Sequence, residues 1–224
     1  MFEQRTLSRR ERERLIHRQE ILDAALELFA QKGFYNVTMK EIAERAEFAV
    51  GTLYKFFQSK QHLYKSLILE RTIHFHNTLI NVLDEEMDDP LEQIEKFIMT
   101  KMGLLGKHIA IIRLYFTEIY RVNPTIKADL EAELTRMRRE FRTKLSALME
   151  RAINAGLIRR SDPMHMAMAL DGLMKGFVFG YLEESFGKDP SEIDYEKLEK
   201  LFAEDYAKTV REVFFKGALA STAA

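Results

Sequence analysis

Apolar residues recur at three- and four-residue steps along nearly the whole chain. No segment alternates with the period of two that a half-buried strand needs. That periodicity limits the fold to packed helices. From Arg12 the stripe runs through Leu15, Ile16, Ile21, Leu22, Ala25, Leu26, Leu28 and Phe29, and Gly33 ends it. Thr38-Met39-Lys40-Glu41 forms a capping box, in which the hydroxyl satisfies a free backbone N–H and the carboxylate reaches back to the cap. The short helix it opens carries Ile42 and Ala43 inward and ends near Ala46, and a third runs from about Val50 to Phe56. Ser59 caps a long fourth helix striped with Leu63, Leu67, Ile68, Ile73, Leu79, Ile80 and Leu83. Asp88-Asp89-Pro90 stops it and opens the next, with Pro90 in the first turn.

Beyond that point Leu91 to Leu105 is amphipathic, and Ile109 to Tyr120 is apolar on almost all sides except at Arg113 and Glu118. Asn123-Pro124 opens a long charged helix that Gly156 stops. Ser161-Asp162-Pro163 starts another that runs to Phe186 and Gly187, and the last spans Tyr195 to Phe215. With only four prolines and ten glycines in 224 residues, the chain reads as all-α, with about nine helices and no sheet.

The absence of cysteine excludes disulfides, thiolate chemistry and cysteine metal sites. Residues 1–19 are charged throughout and lack the apolar stretch of a signal peptide. The most apolar stretch, Met164 to Leu182, carries Asp171 and Lys175 in its middle, so no membrane span and a cytoplasmic address are expected. The net charge of −1 hides an uneven distribution, with Arg5, Arg9, Arg10, Arg12, Arg14 and Arg18 facing Glu3, Glu11 and Glu13. Such an arm suits a polyanion and equally suits a solvated terminus.

Two short helices joined by a tight turn over residues 38–57 have helix-turn-helix geometry. Ile42, Ala43, Ala46, Leu53 and Phe57 would hold the pair together, leaving Lys40, Val50, Gly51, Thr52, Tyr54 and Lys55 for the outer surface. Lys60 adds a phosphate-seeking charge. A plain turn between bundle helices, with Tyr54 and Phe56 as core, fits the same spacing.

Phe29-Ala30-x-x-Gly33-Phe34, Thr38-x-x-x-Ile42-Ala43 and Gly51-Thr52-Leu53-Tyr54-x-x-Phe57-x-Ser59-Lys60 together resemble the N-terminal domain of TetR-family transcriptional regulators over roughly residues 15–70. The resemblance implies a DNA-binding domain over 1–66 and a ligand-sensing, dimerising domain over 67–224. It implies phosphate contacts at Thr38, Tyr54 and Lys60, close approach to DNA at Gly51 and Thr52, and base reading at Lys40, Val50 and Lys55. Three positions depart from the pattern: Glu47 replaces a common turn glycine, Ala49 a capping serine, and Phe56 a tyrosine or histidine.

The C-terminal part offers support for both implied roles. Gly172, Gly176 and Gly180 share one face, and a ridge without side chains lets another helix approach closely. With Phe202, Val210 and Phe214 on the last helix it would form half of an intersubunit four-helix bundle; packing within one subunit is the other reading. Phe97, Met102, Phe116, Met137, Met168 and Phe177 would line an adaptable apolar cavity, or simply fill the core. Arg113 and Tyr120 would orient the ligand, although Arg113 could instead pair with Glu118.

The sequence lacks a nucleophile elbow, a phosphate-cradling glycine loop and a Glu-x-x-His pair, so no enzyme activity, metal or cofactor is expected. The expected partners are double-stranded operator DNA, a small apolar effector and a second copy of the chain. The expected function is a ligand-responsive regulator, a repressor released from a pseudopalindromic operator. The alternative is a helical small-molecule-binding or scaffold protein without DNA binding. The fourth helix is expected to be the sole covalent and rigid link between the two domains.

Overall fold

The computed structural model describes residues 8–118, 124–185, 188–189 and 192–219. In chain order the helices are α1 (Arg9–Lys32), α2 (Met39–Arg45), α3 (Val50–Phe56), α4 (Lys60–Asp84), α5 (Pro90–Lys107), α6 (Ile109–Glu118), α7 (Pro124–Asn154), α8 (Pro163–Ser185), α9 (Tyr195–Leu201) and α10 (Ala207–Ala218). The π turn Phe202–Tyr206 joins α9 to α10 without leaving right-handed backbone, so the described residues form nine helical rods. They contain no strand; a single bridge pairs Ile158 with Leu219.

The expected caps are present. Thr38 Oγ1 accepts from Glu41 N–H at 3.2 Å while Glu41 accepts from Thr38 N–H at 2.8 Å. Ser59 caps α4, and Asp89 caps α5 with Pro90 in its first turn. Ser8 and Glu11 form a second capping box that starts α1. At the far end of α4, Gln93 is fully buried and its amide donates to the carbonyls of Val82, Leu83 and Glu85. Those carbonyls lack partners inside the helix, so Gln93 ends α4 and fixes the α4–α5 corner.

Two apolar cores result. One is built on Ile21, Phe29, Ile42, Leu53, Phe57 and Tyr64, where each fully buried side chain of this size contributes about 1.5–3 kcal/mol. The other gathers Ile94 and Met102 of α5, Leu145 and Met149 of α7, and Leu170 and Met174 of α8. Ile111, Leu114 and Leu130, from α6 and α7, belong to the N-terminal core. Tyr64 also donates to the Leu114 carbonyl at 3.4 Å, and Lys65 pairs with Asp129 at 2.5 Å. These contacts correct the expectation for α4. It is the covalent link between the two parts, but α6 and the start of α7 form a second rigid one.

Phe202 and Val210 are 0 % exposed and Phe214 is 6 % exposed within the subunit, which corrects their expected place in a dimer interface. Their side chains close the C-terminal core of the subunit. The cause is a close helix crossing: a Cβ on Gly106 of α5 would lie 2.8–2.9 Å from Phe202 Cβ and the Glu199 backbone.

Candidate nucleic-acid interface and effector cavity

The turn between α2 and α3 holds Glu47 at φ 59°, the left-handed region where a non-glycine residue costs about 1–2 kcal/mol. This is the position where the family pattern has glycine, and the chain keeps the backbone shape without it. Ala49 is the N-cap of α3 and supplies no side-chain cap. The motif is instead braced from outside. Arg45 grips both oxygens of Glu27 on α1 at 2.6 and 2.8 Å. Lys32 binds Glu41, whose carboxyl is held down to about 2 by that ammonium, then by the Thr38 backbone and hydroxyl.

Thr38, Lys40, Gly51, Tyr54 and Lys55 are exposed, whereas Val50 and Thr52 are half-buried. Val50 packs against the N-terminal core, and Lys40 reaches Glu44 at 3.7 Å. Lys60 sits differently from expectation. Its ammonium donates to the carbonyls of Phe34 and Val37, both at 2.8 Å, and lies 4.4 Å from the centre of the Phe34 ring. A third, longer donation reaches the Tyr35 carbonyl at 3.4 Å, so Lys60 clamps the α1–α2 loop with all three donors and a phosphate would have to displace one of these bonds. Phe56 is half-buried with the Arg14 guanidinium 5.9 Å above its ring.

In the C-terminal part a cleft of about 200 Å³ opens between α4, α5, α7 and α8. Thr72, Phe75, His76 and Leu79 of α4 form one wall, and Leu134, Met137 and Phe141 of α7 face them. At its polar end lie Lys101, Asp171 and Lys175. The Lys101 and Asp171 side chains are 5 % and 6 % exposed and hydrogen-bonded to each other, and Lys175 reaches the second Asp171 oxygen at 2.5 Å. Burial pushes the Lys101 ammonium below its ordinary pKa, and Asp171 only partly offsets that. Burial alone would raise the Asp171 carboxyl, but the two ammonium groups outweigh it and hold the group below its ordinary value.

This site differs from the expected one. Of the residues expected to line the cavity, Met137 does so. Phe97 and Met102 are fully buried core. Phe177 stacks on Tyr206 with ring centres 4.4 Å apart, and Arg113 donates to the Lys188 carbonyl at 3.0 Å. Met168 and Phe116 are 50 % and 41 % exposed on the outside. Tyr120 lies outside the described residues, as does the side chain of Glu118. A stripe at helical spacing marks burial but does not separate a cavity wall from solid core. The charged end was detectable: Lys101 falls on the apolar stripe of α5, and Asp171 and Lys175 lie one turn apart in the most apolar helix.

Gly172, Gly176 and Gly180 are exposed, and a Cβ at any of them meets nothing within 4 Å. The ridge is therefore not packed against the described part of the subunit. Exposed Met168 and Phe179 border it, and Phe116 lies edge-on to Phe179 at 5.6 Å. Among the described residues no group of His, Asp and Glu gathers as a metal site, and no helix is long and apolar enough to cross a membrane.

An α2–turn–α3 motif braced on α1 and continued by α4 into a larger helical domain defines a helix-turn-helix regulator. A family model described as bacterial regulatory proteins, tetR family, matches residues 21–67, and a tetracyclin repressor-like C-terminal domain model matches residues 87–179. The chain belongs to the TetR family of DNA-binding transcriptional regulators. It is 26 % identical to the HTH-type transcriptional regulator RutR of Escherichia coli (strain K12) over 162 residues, covering 72 % of this chain and 74 % of that one. Over 51 residues it is 51 % identical to the transcriptional repressor KstR of Rhodococcus jostii, 23 % of this chain and 24 % of that one. The fold also matches the transcriptional regulator FadR from Bacillus subtilis in complex with stearoyl-CoA, with a TM-score of 0.62, 20 % identity, and coverage of 89 % and 98 %.

Proposed function

We propose that the protein is a homodimeric, non-enzymatic repressor that leaves a pseudopalindromic operator when a small effector enters the α4–α5–α7–α8 cleft. The observation that carries this reading is the position of the cleft. One of its walls is α4, and directly before the wall residue Thr72, Glu70 and Arg71 of α4 pair with Arg18 and Asp23 of α1. A ligand that moves this stretch of α4 moves the helix-turn-helix unit with it. The contacts of α6 and α7 give the motion a second path, so the expected single lever becomes a two-point mount. A similar fold, in FadR, is recorded with stearoyl-CoA; the cleft of about 200 Å³ here suits a small molecule.

Exposed Tyr54 and Thr38 are read as phosphate contacts, with Gly51 and Thr52 at close approach and Lys40, Val50 and Lys55 at the base edges. Lys60 supports the loop beneath them. The open glycine face of α8 is read as the dimer seam, bordered by Met168, Phe116 and Phe179. DNA fragments selected from a random pool and footprinted test the DNA arm. Tyr54→Ala should weaken every sequence alike, because phosphate contacts position without reading bases, while Lys40→Ala should change preference among sequences. A monomer protecting an asymmetric site would overturn the symmetric model.

A further inference from the structure

The charged end of the cleft is one negative charge short. Two ammonium groups, Lys101 and Lys175, share a single carboxylate, Asp171. The other ionisable side chains along the cleft already have partners: the His76 imidazole meets Glu140 at 3.1 Å and Arg138 meets Glu131 at 3.3 Å. An ammonium has three donors. Among the described residues Lys101 uses one of them, on Asp171, and its nitrogen lies 4.6 Å from the centre of the Phe141 ring and 5.7 Å from that of Phe97. Aromatic faces attract a cation but do not replace two oxygen acceptors around a buried one. A buried ion pair costs desolvation unless its remaining donors and lone pairs are satisfied.

We infer that this cleft binds a small apolar molecule carrying a single carboxylate, whose oxygens complete the hydrogen bonding of Lys101 and Lys175. The inference rests on the reading of the cleft as the effector site and adds the chemical class of the effector. One monoanion neutralises the surplus positive charge, whereas a neutral molecule leaves it and a cation doubles it. The opposite walls, Phe75, Leu79, Met137 and Phe141, take the apolar body. Size sets the second limit. An apolar cavity of about 150 Å³ accepts benzene, so 200 Å³ corresponds to about eight or nine non-hydrogen atoms, the size of a six-carbon acid or of benzoic acid.

The test is calorimetric titration of the full chain, without DNA, with hexanoate and benzoate and with hexanamide, benzamide and hexylammonium. The acids should bind about ten-fold or more tightly than their amides, as expected for hydrogen bonds to charged donors, and hexylammonium more weakly still. Lys175→Gln changes a side chain 40 % exposed, so the fold persists; it should weaken acid binding more than amide binding and so reduce the preference for acid over amide. Lys101→Met should remove the preference. Amides binding as well as acids, hexylammonium binding more tightly, an unchanged preference in Lys175→Gln, or no acid binding at millimolar concentration would overturn the inference. Fragment release separates this outcome from the proposed function. Acid binding that leaves DNA affinity unchanged sinks induction and keeps the ligand class; release by the amide as readily as by the acid does the reverse.

Discussion

Gly106→Ala and Gly103→Ala introduce the same methyl group three residues apart in α5 and should have opposite effects. At Gly106 the added Cβ lies 2.8 Å from Phe202 Cβ and 2.9 Å from both the Cα and the carbonyl oxygen of Glu199. Two of these three atoms are backbone, so no rotamer change relieves the clash and the α9 end of the rod must move outward. Overpacking of this kind costs about 1–3 kcal/mol, while the gain in helix propensity from glycine to alanine is at most about 1 kcal/mol. At Gly103 the Cβ meets nothing within 4 Å, so the propensity gain acts alone. The difference between the two variants removes most of the shared propensity term and leaves the contact, about 1–3 kcal/mol. For a chain of this size that is a gap in Tm of about 2–12 °C, at about 2–4 °C per kcal/mol. Thermal unfolding followed by far-UV circular dichroism measures it. Equal melting temperatures, or a Gly106 variant more stable than the Gly103 variant, would refute the close α5–α9 crossing on which the burial of Phe202 depends.

Ala49→Ser should supply the missing α3 cap, raising stability by about 0.5–2 kcal/mol and strengthening DNA binding, read by melting and by fluorescence anisotropy. Gly176→Leu adds a Cβ that meets nothing within the subunit; sedimentation should show a monomer, and a persisting dimer would remove the α8 face as the seam. Burial, then Arg71, Lys107 and His74, push the His108 pKa from its ordinary 6.5 to about 4. Between those values the unfolded chain binds more protons, so stability should fall by about 1–2 kcal/mol on acidification from pH 6.5 to 4, allowing for partial exposure. His108→Gln should flatten that slope in urea unfolding.

The helices were legible because their signals are local. Thr38 with Glu41, Ser59, and Asp89 with Pro90 mark ends by chemistry confined to a few residues. The backbone consequences of Glu47 and Ala49 were also visible as departures from a pattern, and they appear as a left-handed residue and an uncapped start. Side-chain destinations were less legible. Phe202 and Phe177 lie on apolar stripes whichever neighbour they meet, so periodicity could not tell seam from core or cavity. Lys60 carried a family role as a phosphate contact, but the loop carbonyls that claim it become its neighbours only when α4 packs under the α1–α2 loop. The Lys101–Asp171 pair joins residues 70 positions apart, which no local pattern encodes. The visible sign was a charge out of place on each apolar stripe.

The cleft and the helix-turn-helix unit are linked if each ligand changes the affinity of the other. A ligand that weakens DNA binding must itself be weakened by DNA, by the same factor. Hexanoate titrated into the protein alone, and into the protein saturated with a selected operator fragment, yields both affinities. Hexanoate should bind more weakly in the presence of DNA, matched by an equal loss of DNA affinity at saturating hexanoate, with both effects reduced in Lys175→Gln. A hexanoate affinity that is the same with and without the fragment would contradict this linkage.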